Sequence, residues 1–299
     1  MSNQNLLKLT NDYIFKRTFG YTGDEEITRI FLRDILKTDI TEITLDNATI
    51  TEKELIDDKV GIMDIKAVLN GIIQCDIEMQ VVNQDDIEKR IIFYWGKMYT
   101  QSIKKGDGYG TLPKTISVLI ADFELDNLKN IKKYMTKWNI REEEYKSVIL
   151  TDALEIYIIE LPKFVKYAKG NKSDNLNLWV NFIRNPEVIV MTNENDNRSI
   201  KETKIAINEA QEKLKKLSED EHERALADLR EKYIRDQYSI EKYGYKKGKE
   251  EGKEEGKEEK AIQIAKKMLE AGADIEFVIN CTGLSKEVIE NIIKDNKRQ

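Results

Sequence analysis

Residues Gly61 to Val82 read GIMDIKAVLNGIIQCDIEMQVV. Two runs of alternating hydropathy flank Asn70-Gly71, a strong hairpin signal. On the second run Gln74, Asp76, Glu78 and Gln80 share one face, and Ile73, Cys75, Ile77, Met79 and Val81 share the other. On the first run Asp64 and Lys66 share a face, opposed by Met63, Ile65, Ala67 and Leu69. A two-residue loop would set Leu69 against Ile72 and every core residue against a polar one. A shift of one residue repairs this. Met63 then meets Met79, Ile65 meets Ile77 and Ala67 meets Cys75, while Asp64 falls opposite Glu78 and Lys66 opposite Asp76. The reading is therefore a three-residue loop, Asn70 to Ile72, or a bulge.

This register has a chemical consequence. Directly opposed residues hold their Cβ atoms about 4.5–5.5 Å apart. Two carboxylates so close, Asp64 and Glu78, repel unless positive charge sits between them. A divalent cation with oxygen ligands is the usual resolution. The alternative from the hairpin alone is a solvent-facing edge with cross-strand pairs such as Lys66–Asp76.

Around the hairpin, Leu6 to Phe19 reads as a helix capped by Thr10 or Asn11, with Asp12 and Lys16 one turn apart. That spacing also fits an exposed ion pair. Asp24 caps a helix from Glu25 to Leu36, and Ile43 to Ile50 alternates as a strand. Asp86 to Lys104 is amphipathic, with Ile91, Trp95, Met98 and Tyr99 inward and Arg90, Tyr94, Lys97 and Gln101 as a polar stripe. Thr115 to Phe123 is a buried strand, Lys146 to Leu161 a strand pair, and Leu176 to Ile183 a short helix. This order implies α/β (α+β), a mixed sheet flanked by helices.

Composition narrows the function. With 299 residues the chain has room for one sizeable core and an appendage. A formal net charge of −6 excludes coating nucleic acid by bulk charge, though not a local basic groove. Cys75 and Cys281 form no CxxC, so neither a zinc site nor a disulfide framework is indicated. The single histidine, His222, excludes a His-dependent triad and a multi-His metal centre. No signal peptide and no apolar run of about 18 residues is seen, so the expected location is the cytoplasm, with no membrane partner.

Three segments follow: a core over 1–192, a long charged helix over 193–260, and a small helical unit over 261–299. The long helix carries GYKKGKEEGKEEGKEE, with Gly244, Gly248, Gly252 and Gly256 every fourth residue. Each costs a helix about 1 kcal/mol against alanine. The repeat is either a frayed linker or a ridge for a partner helix, and a homodimer through this helix is the expectation carried forward. The last unit reads as helices around Met268, Ile275–Cys281 and Val288–Ile293, turned at Thr282-Gly283 and capped by Ser285. Two short helices about a glycine turn resemble a helix-turn-helix. Ser285 to Gln299 carries four Lys/Arg against three acids, so charge favours a packing or oligomerisation unit over a DNA reader.

Three stretches, LTNDYIFKRTFG, DKVGIMDIKAVLNGIIQCDIEMQ and KRIIFYWGKMYTQSIKKGDGY, resemble in order the recombination-promoting nuclease (Rpn) family, the PD-(D/E)XK nuclease family transposases. The resemblance covers roughly residues 6–185, and the tail is similar to that family's. It implies a restriction-endonuclease-like core and a metal-dependent DNA endonuclease linked to recombination, mobile elements or phage defence. The first acidic motif position falls on Asp64, the glutamate on Glu78 and the last position on Gln80. The broad superfamily places lysine at that last position. Asp12 matches an acidic residue of the first helix, and Arg90 and Tyr94 match the helix after the site. The ligand set so implied is Asp64, Glu78 and the main-chain carbonyl of Met79 around Mg2+ (or Mn2+). Gln80 would orient the attacking water, and Arg90 would meet the scissile phosphate. Glutamine carries no charge, so transition-state charge would fall on the metal or on Lys59, Lys66 or Arg90. The competing reading is a catalytically silent DNA-binding or regulatory protein on the same fold.

Overall fold

The computed structural model describes residues 6–21, 23, 25–45, 64–83, 86–168 and 174–296. The inferred hairpin is its organising feature. Strands β2 (Ile65–Leu69) and β3 (Ile73–Gln80) pair antiparallel, with Ile65 opposite Ile77, Lys66 opposite Asp76 and Ala67 opposite Cys75. Leu69 meets Ile73, which leaves the three-residue loop Asn70 to Ile72. Asn70 (φ 49°) and Gly71 (φ 73°) are both left-handed, and the Ile72 N–H donates to the Leu69 carbonyl at 3.1 Å. This is an Asn-Gly turn of the primed kind with one extra residue. Asn70 also ties the loop to the preceding chain, its Oδ1 accepting from the Thr41 and Glu42 N–H groups.

Six strands form one mixed sheet in the order β1-β2-β3-β4-β6-β5. The remaining strands are β1 (Ile43–Leu45), β4 (Thr115–Ala121), β5 (Met135–Arg141) and β6 (Ile149–Glu160). β3, β4 and β6 run parallel, and β1–β2, β2–β3 and β5–β6 are antiparallel. β4 is buried throughout, Thr115 and Ser117 included, as suits a central strand of a mostly apolar run. The pair expected inside Lys146–Leu161 is instead one strand, β6, whose partner β5 comes earlier. β5 reads MTKWNIR, and its polarity suits an edge strand with one side in water.

The two faces of the sheet are covered differently. One carries Ile65, Ala67, Cys75, Ile77, Met79, Val118 and Ile159 into the main core. Helices α1 (Asp12–Phe19), α2 (Glu25–Leu36), α5 (Asn175–Arg184) and α6 (Arg198–Glu219) supply its other wall, with Phe15, Phe31, Trp179 and Ile207 buried. The opposite face presents Leu119, Ala121, Ile156 and Ile158, covered by Ile87 and Ile91 of α3 (Ile87–Gln101). A short helix, α4 (Leu161–Tyr167), follows β6.

The charged stretch expected as one long helix over 193–260 is two helices, broken at Asp220: α6, then α7 (Glu221–Glu270). α6, beyond the boundary expected at 192, packs against α1, α2 and α5 through Ala206, Ile207, Ala210 and Leu214. Contacts divide the chain into a unit ending at Ile234 and a second from Arg235. In the second, α7 runs unbroken through the glycine repeat, and a Cβ at Gly244, Gly248, Gly252 or Gly256 would meet nothing within 4 Å. Gly272 (φ 81°) stops it, and α8 (Ile275–Thr282) and α9 (Lys286–Asn296) follow about Gly283 (φ 70°). Ala265, Val278, Ile289 and Ile292 form a small core there.

Candidate active site

The polar face of β3 is not a solvent edge. Asp76, Glu78 and Gln80 stand beside Ser117, Leu119 and Ala121 of β4, on the side that α3 covers. Asp76 is 8% exposed and Glu78 6%. Asp64, which immediately precedes β2, is 5% exposed. Continued by one residue, the Ile65–Ile77 register sets Asp64 against Glu78, as the alternation predicts. The Met63–Met79 pairing, Lys59, the Asp24 cap and the expected strand beyond Leu45 lie outside the described residues.

α3 supplies the cation. Arg90 Nη2 donates to Glu78 Oε1 at 2.5 Å, and the guanidinium lies 5.6 Å from the centre of the Tyr94 ring. Gln80 Nε2 donates to the same Glu78 oxygen. The sequence stripe Arg90, Tyr94, Lys97, Gln101 is thus no ordinary solvated face. Its first member pairs with the site, and the other three line a cleft of about 370 Å3 with Asp64, Lys66, Gln74 and Asp76.

The alternation gives Asp76 a place on the acidic face and a cross-strand partner in Lys66, but no role in the site. Its Oδ1 is buried with no hydrogen-bond partner, and so is Ser117 Oγ directly across on β4. Burial, then the neighbouring Glu78 charge, pushes the Asp76 carboxyl up to about 7, while Lys66, Lys16 and Arg90 pull the other way. Lys16 comes from α1 and is itself buried, so the first helix contributes positive charge to this strand.

Asp12 has a different setting. Asn11 is the N-cap of α1, accepting from the Ile14 N–H, and Asp12 begins the helix. The Asp12 carboxylate accepts from Arg230 of α7, Nε at 3.0 Å and Nη2 at 2.6 Å, with both side chains nearly inaccessible. Glu223, also on α7, accepts from the Tyr13 hydroxyl at 2.7 Å and pairs with Arg17 at 2.5 Å. The expected exposed pair with Lys16 is therefore a buried clamp between helices 218 residues apart in sequence.

Among the described residues, no group of three or more His, Cys, Asp or Glu side chains is arranged to hold a metal. The donor set is oxygen only: a few buried carboxylates, one oxygen of them orphaned, beside an open cleft. That suits Mg2+, which takes one or two carboxylates and completes its shell with waters and substrate phosphate.

No helix among the described residues is long and apolar enough to cross a membrane. Both cysteines are free thiols, Cys75 buried and Cys281 exposed. The family model for the Rpn/YhgA-like nuclease family, C-terminal HTH domain, matches residues 258–294. No curated protein and no solved structure matches the chain. The family model for the PD-(D/E)XK nuclease family transposase matches residues 9–244, most of the length and all of the elements just described around the cleft, and the chain belongs to that family.

Proposed function

We propose that this chain is a divalent-metal-dependent endodeoxyribonuclease hydrolysing phosphodiester bonds in DNA. The observation that carries the reading is the opposition of Asp64 and Glu78 across the β2–β3 hairpin, both buried, with Asp64 lining an open cleft. Asp64, Glu78 and the Met79 carbonyl are the proposed holders of Mg2+ or Mn2+. Bound there, the ion lowers the pKa of a water and screens the phosphate.

The chain's own residues do the rest. Gln80 orients the nucleophilic water from its place beside Glu78. Arg90 holds Glu78 in the substrate-free protein, and its guanidinium is the group best placed to meet an incoming phosphate. Lys66 and Lys97 put further positive charge along the cleft. Asp12 acts from behind the site, fixing α1 and with it Lys16. The C-terminal HTH unit would bring the core to DNA in the cytoplasm, where both thiols stay reduced. In a homodimer joined along the open glycine face of α7, each strand of a duplex would meet its own site.

The test is Mg2+-dependent nicking of supercoiled plasmid. Outer-shell mutations at metal sites cost about 10–100-fold. Loss of a direct ligand in Asp64→Ala or Glu78→Ala should therefore cost about 100-fold or more, with circular dichroism unchanged. Full activity in either purified variant, or no cleavage by the wild type with any divalent ion, would leave DNA binding without catalysis as the function.

A further inference from the structure

Asp64, Asp76 and Glu78 share one face of this hairpin, and they are not equivalent. Glu78 Oε1 already accepts from Arg90 and Gln80. Asp76 lines the cleft with Asp64, is more than nine-tenths buried, and keeps Oδ1 without a hydrogen bond. Leaving a buried carboxyl oxygen unmet is costly, because it forfeits its hydration with nothing in exchange. Ser117 Oγ, its neighbour on β4, is orphaned too. Two unsatisfied polar atoms thus stand side by side on one sheet face.

We propose that Asp76 is a direct ligand of the site's divalent cation, shared with Asp64 across the hairpin, with Ser117 holding one of the ion's waters. The inference rests on the reading of the site as metal dependent. It goes further by moving the ion from the Arg90-paired glutamate to the two aspartates that line the cleft. Asp64 and Asp76 stand in the diagonal relation, where Cα atoms lie about 7–8 Å apart and Cβ atoms closer. Two short carboxylates can bridge that gap through one ion with oxygen ligands at about 2.1 Å. A cation there gives Asp76 Oδ1 its partner, and an ion-bound water can donate to Ser117 Oγ. Glu78 is then released to work with Gln80 on the attacking water.

The experiment is Mn2+ titration of the metal-free full chain, with free ion counted by electron paramagnetic resonance. Asp76→Asn should weaken Mn2+ binding at least tenfold, about as much as Asp64→Asn. Unchanged Mn2+ binding in Asp76→Asn, with loss in Asp64→Asn or Glu78→Gln, overturns this proposal and leaves the metal-dependent reading standing. Absence of Mn2+ binding by the wild type overturns both. Wild-type crystals soaked in Mn2+ give a readout free of any variant. An anomalous peak at coordination distance from Asp76 is expected, whereas a peak on Asp64 and Glu78 alone, with water at Asp76, refutes it.

Discussion

Replacing Arg230 by Met should destabilise the first unit more than any surface charge deletion. Arg230 holds Asp12 through Nε at 3.0 Å and Nη2 at 2.6 Å, and the two side chains are 3% and 7% exposed. Removing one partner of such a pair strands a buried charge and costs about 3–5 kcal/mol. In a unit of this size each kcal/mol moves Tm by about 2–4 °C, so the expected fall is roughly 10 °C. The assay is urea and thermal unfolding by tryptophan fluorescence. Trp95, Trp138 and Trp179 are the chain's three tryptophans, and all lie before Ile234, so the signal reports the first unit. Asp12→Asn keeps an oxygen that can cap the Tyr13 N–H, now met at 2.8 Å. Added to Arg230→Met, it removes the stranded charge and should recover at least about 1 kcal/mol, within the range of coupling between contacting residues. A loss under about 1 kcal/mol for Arg230→Met, the scale of an exposed pair, or no recovery in the double variant, would refute the buried-clamp argument.

Gly20→Ala should cost about 1–3 kcal/mol by overpacking, because its Cβ would stand 2.9 Å from the Lys16 carbonyl oxygen and 3.0 Å from Ile65 Cγ1; a melting temperature equal to wild type would contradict that geometry. Metal-free protein should lose stability as pH rises from about 4 to about 7. Across that window the folded chain keeps a proton on Asp76 that the unfolded chain, at its ordinary 3.8, has released. Asp76→Asn should flatten this dependence, gaining relative to wild type at pH 8 and little at pH 5; an equal difference at both would show that Asp76 is not linked to folding in this range. In the tail, Gly248→Ala with Gly252→Ala should raise helicity, at about 1 kcal/mol per position. Gly248→Leu with Gly252→Leu should lower the mass seen by light scattering while the Ala pair does not. An unchanged mass in the Leu pair removes the glycine face as a dimer seam.

The hairpin was legible to the residue because its causes are local. Period-two alternation and the left-handed tolerance of Asn70-Gly71 together admit one register, and Asp64 opposite Glu78 followed from it. The Arg90–Tyr94 spacing likewise put both side chains on one helical face next to the acidic strand. β5 escaped notice because an edge strand half in water need not alternate cleanly. The packing of α6 is hidden in the sequence because its charges mask a narrow stripe, Ala206, Ile207, Ala210 and Leu214, that is buried against α1, α2 and α5. Asp12's partner could not be read at all. Arg230 lies 218 positions away, and no local pattern encodes a contact closed by the return of a later helix. Asp76 shows the division most plainly. Alternation assigned it to the face of Asp64 and Glu78, but a residue's face says nothing of what covers it. Folding laid α3 over that face and set Ser117 alongside, which took Asp76 out of water and left its oxygen without a partner.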